Sequence, residues 1–439
     1  MGIKDLQHIL RGRIPGQLVI QYSDHCNARC PQCGMRATNA YQRSRLEMDA
    51  VKRMIDHAAR HHFKAVSFTG GEPLLFFPEI AELMRHAGQA GIAYIRTGTN
   101  GFIFRDAKAV GFDAKIHGFA ETLADTPVRN FWISIDSAVP EVHENMRGLA
   151  GVFAGIEKAL PILHSHGIYP SANLGINRNI GGEGSLNPPP RAMTKSAYLQ
   201  RFHRRFKRSL EKFYNRMIDM GFTMVNTCYP MSADADTGTA RGTSAVYAAA
   251  SENLVVNFTR EEKTMIFQGL METIPGFRSK IRIFSPLCSL LSLKRQYAGD
   301  GTAPFPCRGG IDFFFIDAGN GDTFPCGYRG NENLGKFWDV DPARIPKSPN
   351  CLRCDWECFR DPSEIFGPLL QGVTHPFGLM KKFAGDREFL RLWVNDLLYY
   401  RACDYFNGRM PINEKKLKRF AFSPAVKNIP HFAFSGLGA

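Results

Sequence analysis

The sequence predicts an α/β fold with a parallel sheet, and three observations support this class. Apolar runs of strand length alternate with longer segments that have the period of amphipathic helices. The spacing between successive apolar runs suits βα units, in which a helix connects each strand to the next parallel one. Motifs rich in cysteine, glycine or polar residues directly follow several of these runs, where the carboxyl ends of the strands are expected.

Three strands and two helices are predicted in the first part of the chain. The strands cover 17–22, 65–68 and 93–95, and a helix is predicted over 48–62 between the first two. A second helix connects the second strand to the third, because apolar residues again recur at helical spacing. The apolar positions of the two helices are Val51, Met54, Ile55, Ala58, Ala59, Ile80, Leu83, Met84 and Ala87.

The same alternation continues to residue 226. A helix with a weaker pattern precedes the fourth strand, 131–136, and a clearer helix at 153–166 leads to the fifth strand, 171–175. Glycine and proline then mark an irregular insertion over about 177–220. The insertion contains a basic helix, which either has an exposed basic face or contacts a membrane surface. The sixth strand is predicted over 222–226.

Composition indicates a folded protein of more than one domain. The chain has 439 residues, of which 44% are hydrophobic, and this length favours two domains. Its formal charge of +14 favours anionic partners such as phosphorylated small molecules or an acidic lipid surface, with nucleic acid the least expected; a solvated surface is the alternative. Eleven cysteines, mostly in metal-like spacings, indicate a reducing compartment. Without an export signal or a run of about 18 apolar residues, the expected location is the cytoplasm.

Three cysteines directly follow the first predicted strand. Cys26, Cys30 and Cys33 have x3 and x2 spacings on what should be a loop. Iron–sulfur clusters are held by cysteine thiolates at short loop spacings, usually four of them. Three thiolates can bind three irons of a cubane and leave the fourth iron open. A zinc site is the alternative, although zinc sites usually present paired thiols with a matching second pair.

With Gly70-Gly71-Glu72-Pro73 after the second strand, this cysteine triplet resembles the radical S-adenosylmethionine (SAM) superfamily. The resemblance implies a partial (βα)6 barrel and a [4Fe–4S] cluster on Cys26, Cys30 and Cys33. It also implies that SAM binds the open iron and is cleaved to a 5′-deoxyadenosyl radical. One position differs: the residue before the third cysteine is commonly aromatic in the family and contacts the adenine, whereas here it is Gln32.

The resemblance further implies which residues contact SAM. The edge formed by Gly70, Gly71, Glu72 and Pro73 should face the SAM ammonium group, since glycine allows close backbone approach. Polar residues at the ends of later strands should face the ribose and methionyl parts. An arginine that follows the fourth strand can reach the SAM carboxylate in some family members. The residues expected in these two roles are Asn100, Ser134, Asp136, Asn173 and Arg147.

A second group of cysteines surrounds a predicted hairpin, 313–316 and 323–324. One cysteine lies before the hairpin and one follows it, and an x2 pair comes later. The arrangement resembles the SPASM and twitch extensions of radical SAM enzymes, and the incomplete SPASM pattern favours the twitch type. One auxiliary [4Fe–4S] cluster is therefore expected on Cys307, Cys326, Cys351 and Cys354, with Cys358 as a replacement ligand. The alternatives are zinc on the same four thiols and a second auxiliary cluster that uses Cys358, Cys403 and Cys288.

These observations divide the chain into four predicted parts. The barrel occupies 1–235, and a linker or covering segment occupies 236–300; a small-residue tract at 232–250 spans the boundary between them. The auxiliary cluster domain occupies 301–362. An aromatic and basic helical tail over 363–439 caps the cluster domain, with membrane-surface contact as the alternative.

The expected function is that of a radical SAM enzyme that abstracts hydrogen from a substrate above the barrel. The auxiliary cluster would aid oxidation or substrate binding, and a flavodoxin- or ferredoxin-type protein would supply the electron. The basic, Phe-rich composition favours an anionic or amphiphilic small molecule. A peptide is the alternative substrate, but the short segment before the first strand leaves no room for a leader-peptide recognition domain. The alternative of another class is a non-catalytic iron–sulfur electron carrier, which would bind each cluster with four protein ligands.

Overall fold

The sheet is the centre of the fold. The computed structural model describes residues 3–33, 43–188, 193–230, 246, 253–345, 351–352 and 354–421. In this part of the chain nine strands form one sheet in the order β7-β6-β5-β4-β3-β2-β1-β8-β9. Strands β1 to β8 pair in parallel, and β9 pairs antiparallel with β8. The α/β class and the partial-barrel arrangement of the first six strands are confirmed. The strands are β1 (Gly16–Ser23), β2 (Phe63–Gly70), β3 (Tyr94–Thr99), β4 (Val128–Ser134), β5 (Ser171–Gly175), β6 (Met224–Cys228), β7 (Arg282–Ile283), β8 (Phe313–Ile316) and β9 (Thr323–Phe324).

Helices connect the parallel strands and continue beyond them. The helices predicted from apolar spacing are confirmed, with ends that differ by a few residues. The helices are α1 (Ile3–Leu10), α2 (Met48–Arg60), α3 (Phe77–Gln89), α4 (Phe112–Ala124), α5 (Pro140–Arg147), α6 (Val152–Ser165), α7 (Lys195–Met220), α8 (Arg260–Thr273), α9 (Leu287–Ala298), α10 (Glu357–Thr374), α11 (Pro376–Gly385), α12 (Arg387–Ala402) and α13 (Glu414–Leu417).

The basic helix α7 is the crossover between β5 and β6. Its apolar residues Phe202, Phe206 and Leu210 are buried in the main core, while Arg204 and Arg208 stay exposed. The apolar face is therefore occupied by the protein, and only the basic face meets solvent. The interpretation of 177–220 as an insertion is wrong for α7, because a crossover helix is what a parallel strand pair needs. The prolines Pro189 and Pro190 lie outside the described residues.

The predicted linker over 236–300 is wrong for its described part. Residues 253–300 contain α8, β7 and α9, and both helices bury much of their surface. The hydrophobic pattern of the sequence does not predict α8, because its first turns contain the buried charged residues Glu262 and Lys263. Their partners come from distant positions: Arg178 pairs with Glu262 at 2.9 Å, and Lys263 lies 3.4 Å from Asp355. Apart from Val246, the small-residue tract at 232–250 lies outside the described residues.

The predicted cluster hairpin continues the barrel sheet. Strand β8 pairs in parallel with β1, from Gln17 beside Phe313 to Ile20 beside Ile316. The boundary predicted at 301 therefore does not separate two sheets. Helices α10 and α12 pack against α9, which precedes the predicted cluster domain, so the cap over that domain stays a prediction. The tail beyond residue 421 lies outside the described residues. In the described part of the chain, every helix is too short or too polar to cross a membrane.

Candidate functional site

The three-cysteine loop leaves the sheet at the carboxyl end of β1, as predicted. The backbone N–H of Ala28 donates to Sγ of Cys26 at 3.5 Å, and Nδ2 of Asn100 donates to the same sulfur at 3.7 Å. The loop turns tightly, since the N–H of Cys33 donates to the carbonyl of Cys30 at 3.2 Å. N–H groups directed at a cysteine sulfur stabilise the thiolate form, which is the form that binds metal.

The Gly70-Gly71 pair is needed where β2 passes under this loop. A Cβ on Gly70 would lie 2.1 Å from the carbonyl oxygen of Ser23, and one on Gly71 would lie 2.1 Å from that of His25. The N–H of Gly71 donates to Ser23 at 2.7 Å. We predicted these glycines for close approach to a ligand; in the structure the close approach is to the backbone of the cysteine loop. They thus fix the loop on the sheet while also lining the adjoining cavity.

Glu72 joins the loops after β2 and β3. Its buried carboxylate accepts from the N–H of Leu74 at 3.1 Å and from the N–H of Asn100 at 2.6 Å. Burial raises the pKa of Glu72 to about 7, although these N–H groups oppose the shift. Pro73 begins the short helical turn that follows. Asn100 in turn donates to Oδ1 of Asn27 at 2.8 Å, so the chain Glu72–Asn100–Asn27 positions the cysteine loop.

Asp136 and Arg147 form a buried ion pair beside the cysteines. Nε of Arg147 lies 2.8 Å from one carboxylate oxygen of Asp136, and a second nitrogen donates to the other oxygen at 2.9 Å. Burial raises the pKa of Cys30 to about 12, and the charge of Arg147 opposes this rise. Arg147 also accepts the N–H of Arg29 on its backbone carbonyl at 2.7 Å. The exposed-helix alternative for Arg147 is therefore wrong, because its side chain is buried between Asp136 and the cysteine loop.

His143 supports this pair and was missed by the sequence analysis. Its Nδ1 accepts the backbone N–H of Asp136 at 3.1 Å, so the ring hydrogen is on Nε2. Burial lowers the pKa of His143 to about 3 despite the nearby carboxylate of Asp136, and the ring is neutral at pH 7. Because the His143 ring is neutral, Arg147 alone among the described residues pairs with the negative charge of Asp136.

A cavity of about 260 Å³ adjoins the cysteine loop and lies over the carboxyl ends of the strands. It collects most of the residues predicted from strand ends. The side-chain oxygen of Asn173, Oδ1, already accepts hydrogen bonds from Nδ2 of Asn226 at 2.6 Å and from Sγ of Cys228 at 3.5 Å. The predicted residues that line the cavity are Cys30, Cys33, Gly70, Gly71, Glu72, Pro73, Asn100, Ser134, Asp136, Arg147, Asn173 and Cys358.

Apart from the Asp136–Arg147 ion pair, four buried polar atoms in the cavity wall have no hydrogen-bond partner among the described residues. They are Oε1 of Gln32, Oγ of Ser67, Nε of Arg96 and Oε2 of Glu357. Buried polar groups are nearly always paired, so a cavity with four such atoms is built for a polar ligand. Sequence reasoning missed Ser67, Arg96 and Glu357. Counting back from Asn100 in steps of two leads through Gly98 to Arg96, because alternate residues of a strand share a face.

Cys358 lines this cavity and also packs against the hydrophobic cluster that holds Cys307, Cys326 and Cys354. Its Sγ lies 3.7 Å from Oε1 of Glu357, and burial followed by the charge of Glu357 raises its pKa. Cys228 also lines the cavity, and its pKa is raised first by burial and then by Glu357 and Cys358. That Cys358 replaces an auxiliary ligand stays a prediction.

The other four cysteines of the second group converge. Cys307 and Cys351 form an isolated antiparallel bridge, in which the N–H of Cys307 donates to the carbonyl of Cys351 at 3.0 Å. Burial raises the pKa of Cys326 to about 12, and the negative charges of Cys307 and Cys351 add to the rise. Burial also raises the pKa of Cys354, followed by the charges of Cys326, Cys307 and Cys351. Backbone N–H groups again point at sulfur, from Gly309 to Cys307 and from Tyr328 to Cys326, both at 3.4 Å.

No group of three or more His, Cys, Asp or Glu side chains among the described residues is drawn together tightly enough for a single metal ion. The auxiliary [4Fe–4S] cluster on these four thiols stays a prediction. The second auxiliary cluster on Cys288, Cys358 and Cys403 has no support. Cys288 lies in one buried cluster with Phe389, and Cys403 lies in another with Tyr399.

An iron–sulfur site with three protein ligands and a polar cavity beside it defines a class of protein that binds a cosubstrate at the cluster. Residues 20–181 match the model of the Radical SAM superfamily, which covers the triplet, Gly70-Gly71-Glu72-Pro73, Asp136 and Arg147. This part of the chain is a radical SAM domain.

Curated relatives and solved structures are similar over parts of the chain. An AdoMet-dependent heme synthase of Methanosarcina barkeri is 31% identical over 30% of this chain and 35% of its own length. A GTP 3′,8-cyclase of Alkaliphilus metalliredigens is 29% identical over 32% of this chain and 42% of its own length. The chain thus spans less than half of either relative. The structure of Streptococcus suis SuiB bound to S-adenosylmethionine has 14% identity and a TM-score of 0.47, and covers 71% of this chain and 60% of that one.

The family implies a [4Fe–4S] cluster and SAM, and the residues present fit both groups. Three cysteines provide the thiolates, and two N–H donors reach the sulfur of one of them, Cys26. The unpaired carbonyl oxygen of Gln32, where the family has an aromatic residue, can accept from an adenine amino group. The cavity reaches Cys30 and Cys33 on one side and Asn173 on the other.

Proposed function

We propose that this protein reductively cleaves SAM at a [4Fe–4S] cluster on Cys26, Cys30 and Cys33, and abstracts a hydrogen atom from a substrate in the adjoining cavity. The observation that carries the proposal is the cavity itself. It joins two of the three cysteines to four unpaired buried polar atoms in one space. An electron carrier that only passes electrons has no use for such a space.

When bound, the cluster and SAM together supply the radical chemistry, and the protein supplies binding, orientation and shielding. Arg147 is held by Asp136, so its guanidinium is fixed beside Cys30 before any ligand enters. The carbonyl of Gln32 and the hydroxyl of Ser67 can orient a polar cosubstrate, because both lack partners among the described residues. The glycine pair keeps the cysteine loop against β2.

The cavity favours an anionic substrate. Arg96 lies on β3 with its guanidinium carbon 5.5 Å from the ring centre of Trp132 and 5.7 Å from that of Phe284. Within the described residues no carboxylate pairs with Arg96 and its Nε is unpaired, so an entering carboxylate or phosphate would find a free cation. Gly98 leaves the room that Trp132 needs, because a Cβ there would lie 2.3 Å from that ring. This arrangement supports a small anionic molecule with an apolar part.

An auxiliary [4Fe–4S] cluster on Cys307, Cys326, Cys351 and Cys354 completes the proposal. Trp356 and Glu357 follow the last of these cysteines and line the cavity, so the auxiliary site and the substrate share a short stretch of chain. The cluster is thus placed to take an electron from a substrate radical or to order the substrate. A flavodoxin- or ferredoxin-type reductant and a cytoplasmic location remain part of the proposal.

The test is SAM cleavage by anaerobically reconstituted, reduced protein. The wild type should form 5′-deoxyadenosine and methionine slowly without substrate. The Cys30→Ala variant should form neither, since it lacks one cluster ligand, while Cys403→Ala serves as a control because that buried thiol lies outside both cysteine groups. A Cys30→Ala rate equal to the wild-type rate would contradict the mechanism.

Arg96 gives the test of the substrate class. Removing one partner of a buried charge pair costs about 2 kcal/mol or more, roughly a 30-fold loss of affinity. Arg96→Gln should therefore raise the KM of an anionic substrate by about that factor and leave SAM cleavage without substrate unchanged. An unchanged KM would mean that the anion binds elsewhere or that the substrate is neutral.

A further inference from the structure

A second cavity, also of about 260 Å³, lies at the opposite end of the strands. Its wall includes Gly16 and Phe63, the first residues of β1 and β2. The cysteine loop leaves β1 at its other end, after seven more residues, or roughly 23 Å at strand spacing. This second cavity is therefore separate from the SAM site.

Basic side chains dominate the wall of this cavity. They come from the end of α1, from the residues before β1 and from the turn between α2 and β2. Its one acidic residue, Asp312, is already occupied: Nε of Arg308 donates to it at 2.6 Å, and Arg13 lies 3.5 Å from it. The basic residues are His8, Arg11, Arg13, Arg60, His61 and His62.

Two of these cations are unpaired. The guanidinium groups of Arg11 and Arg60 have no hydrogen bond or ion pair with any described residue. The carboxyl ends of α1 and α2 stabilise part of this positive charge, because both helices end here and each such end carries roughly half a negative charge. Two such ends offset about one positive charge. Arg11, Arg13, Arg60 and Arg308 supply four positive charges, and Asp312 and Asp341 subtract two, since Asp341 acts on Arg13 and His61. With the helix ends also subtracted, about one positive charge remains.

The turn that carries two of the histidines is strained. His62 has φ 61°, a left-handed conformation that is uncommon outside glycine. In this conformation its ring packs edge-on against His8, with ring centres 4.7 Å apart. Strained backbone is found more often at ligand sites than elsewhere, and here it holds an imidazole in the wall of a cationic cavity.

We propose that this cavity binds the phosphate group of a small molecule, at a site distinct from the substrate cavity. A phosphate group complements the net positive charge that remains, and a concave cationic wall concentrates such an anion. Arg11 and Arg60 present free guanidinium groups that can each donate two hydrogen bonds to phosphate oxygens. The ligand would tie α1 and α2 to the start of the sheet.

The experiment is calorimetric titration of the reconstituted full-length protein with inorganic phosphate at constant ionic strength. We expect the wild type to bind one equivalent with a dissociation constant of about 1 mM or tighter. The Arg11→Gln/Arg60→Gln variant should bind at least about 10-fold more weakly. The matched control is Arg204→Gln/Arg208→Gln, which removes the same charge from exposed positions on α7 and should bind as the wild type does.

Two results of the titration would contradict the phosphate site. Absence of binding to the wild type, or equal weakening in both double variants, would overturn the site. If the Arg11/Arg60 variant fails to fold, Arg60→Gln alone replaces it, because Arg60 is exposed and carries no structural contact. Co-sedimentation with phosphatidate vesicles identifies the source of the phosphate. If the wild type co-sediments and the Arg11→Gln/Arg60→Gln variant does not, the phosphate belongs to a lipid headgroup. If the wild type does not co-sediment, the phosphate belongs to a free small molecule. SAM cleavage is measured in parallel, so a failure of the proposed function is seen separately.

Discussion

The two cysteine groups differ in what surrounds them. Cys26, Cys30 and Cys33 lie on a loop that opens onto a polar cavity, and N–H donors reach one of the sulfurs. Cys307, Cys326 and Cys354 pack instead against an aromatic cluster that includes Phe313, Trp356 and Phe359. A loop with three thiols, two of which line a cavity, leaves room for an exchangeable ligand. The four thiols of the second group, three of which pack against aromatic rings, can satisfy a cluster with protein alone. The first group is thus suited to chemistry and the second to electron transfer or structure.

The largest expected effect separates the two groups by SAM cleavage. The Cys351→Ala/Cys354→Ala variant should cleave SAM at nearly the wild-type rate, because the first cysteine group remains intact. Conversion of the substrate should stop, since it depends on the auxiliary site. The measurement is 5′-deoxyadenosine and product formed per enzyme. Loss of SAM cleavage in this variant would show that the two groups do not act separately.

The next effect concerns the ion pair beside the first group. Arg147→Met leaves the buried carboxylate of Asp136 unpaired, which should lower the free energy of unfolding by about 3–5 kcal/mol and weaken SAM binding. The matched control is Arg178→Met, since Arg178 pairs with Glu262 at 2.9 Å and is equally buried. That variant should lose similar stability and still bind SAM. Equal SAM affinity in both variants would reduce Arg147 to a structural role.

The smallest effect is expected at Cys358. If Cys358 faces the cavity, Cys358→Ala should keep the full iron content, while Cys354→Ala should lose the iron of one cluster. The physical reason is that Cys358 interacts with Glu357 and Cys228, whereas Cys354 interacts with the other three auxiliary thiols. Iron analysis of the two variants decides between them. Equal losses would return Cys358 to the ligand set.

Sequence alone predicted the parts that depend on local order. Cysteine spacing placed the triplet, and strand periodicity placed Ser134 and Asp136 on the cavity face. It failed where partners are distant along the chain. Helix α8 was missed because Glu262 and Lys263 look solvated until Arg178 and Asp355 are brought beside them. The pairing of β8 with β1 was missed for the same reason, since it joins residues nearly three hundred positions apart.

The role of the glycine pair shows a different limit. The sequence indicates that Gly70 and Gly71 permit a close approach, but it does not say to what. The structure supplies the neighbour, which is the backbone at Ser23 and His25. The role of Arg96 could not be predicted from the sequence, because a single arginine in a strand belongs to no motif. The structure indicates a role for it by placing its unpaired Nε among other unpaired atoms in the cavity wall.

The most direct test of the account is the iron content of two variants compared with the wild type. Anaerobically reconstituted wild type should hold about eight irons, given four per cubane. Replacing Cys26, Cys30 and Cys33 with Ala should leave about four and abolish SAM cleavage. Replacing Cys307, Cys326, Cys351 and Cys354 should also leave about four, with SAM cleavage retained. Full iron content in the first variant, or zinc in place of iron in the second group, would contradict the assignment of two clusters with different roles.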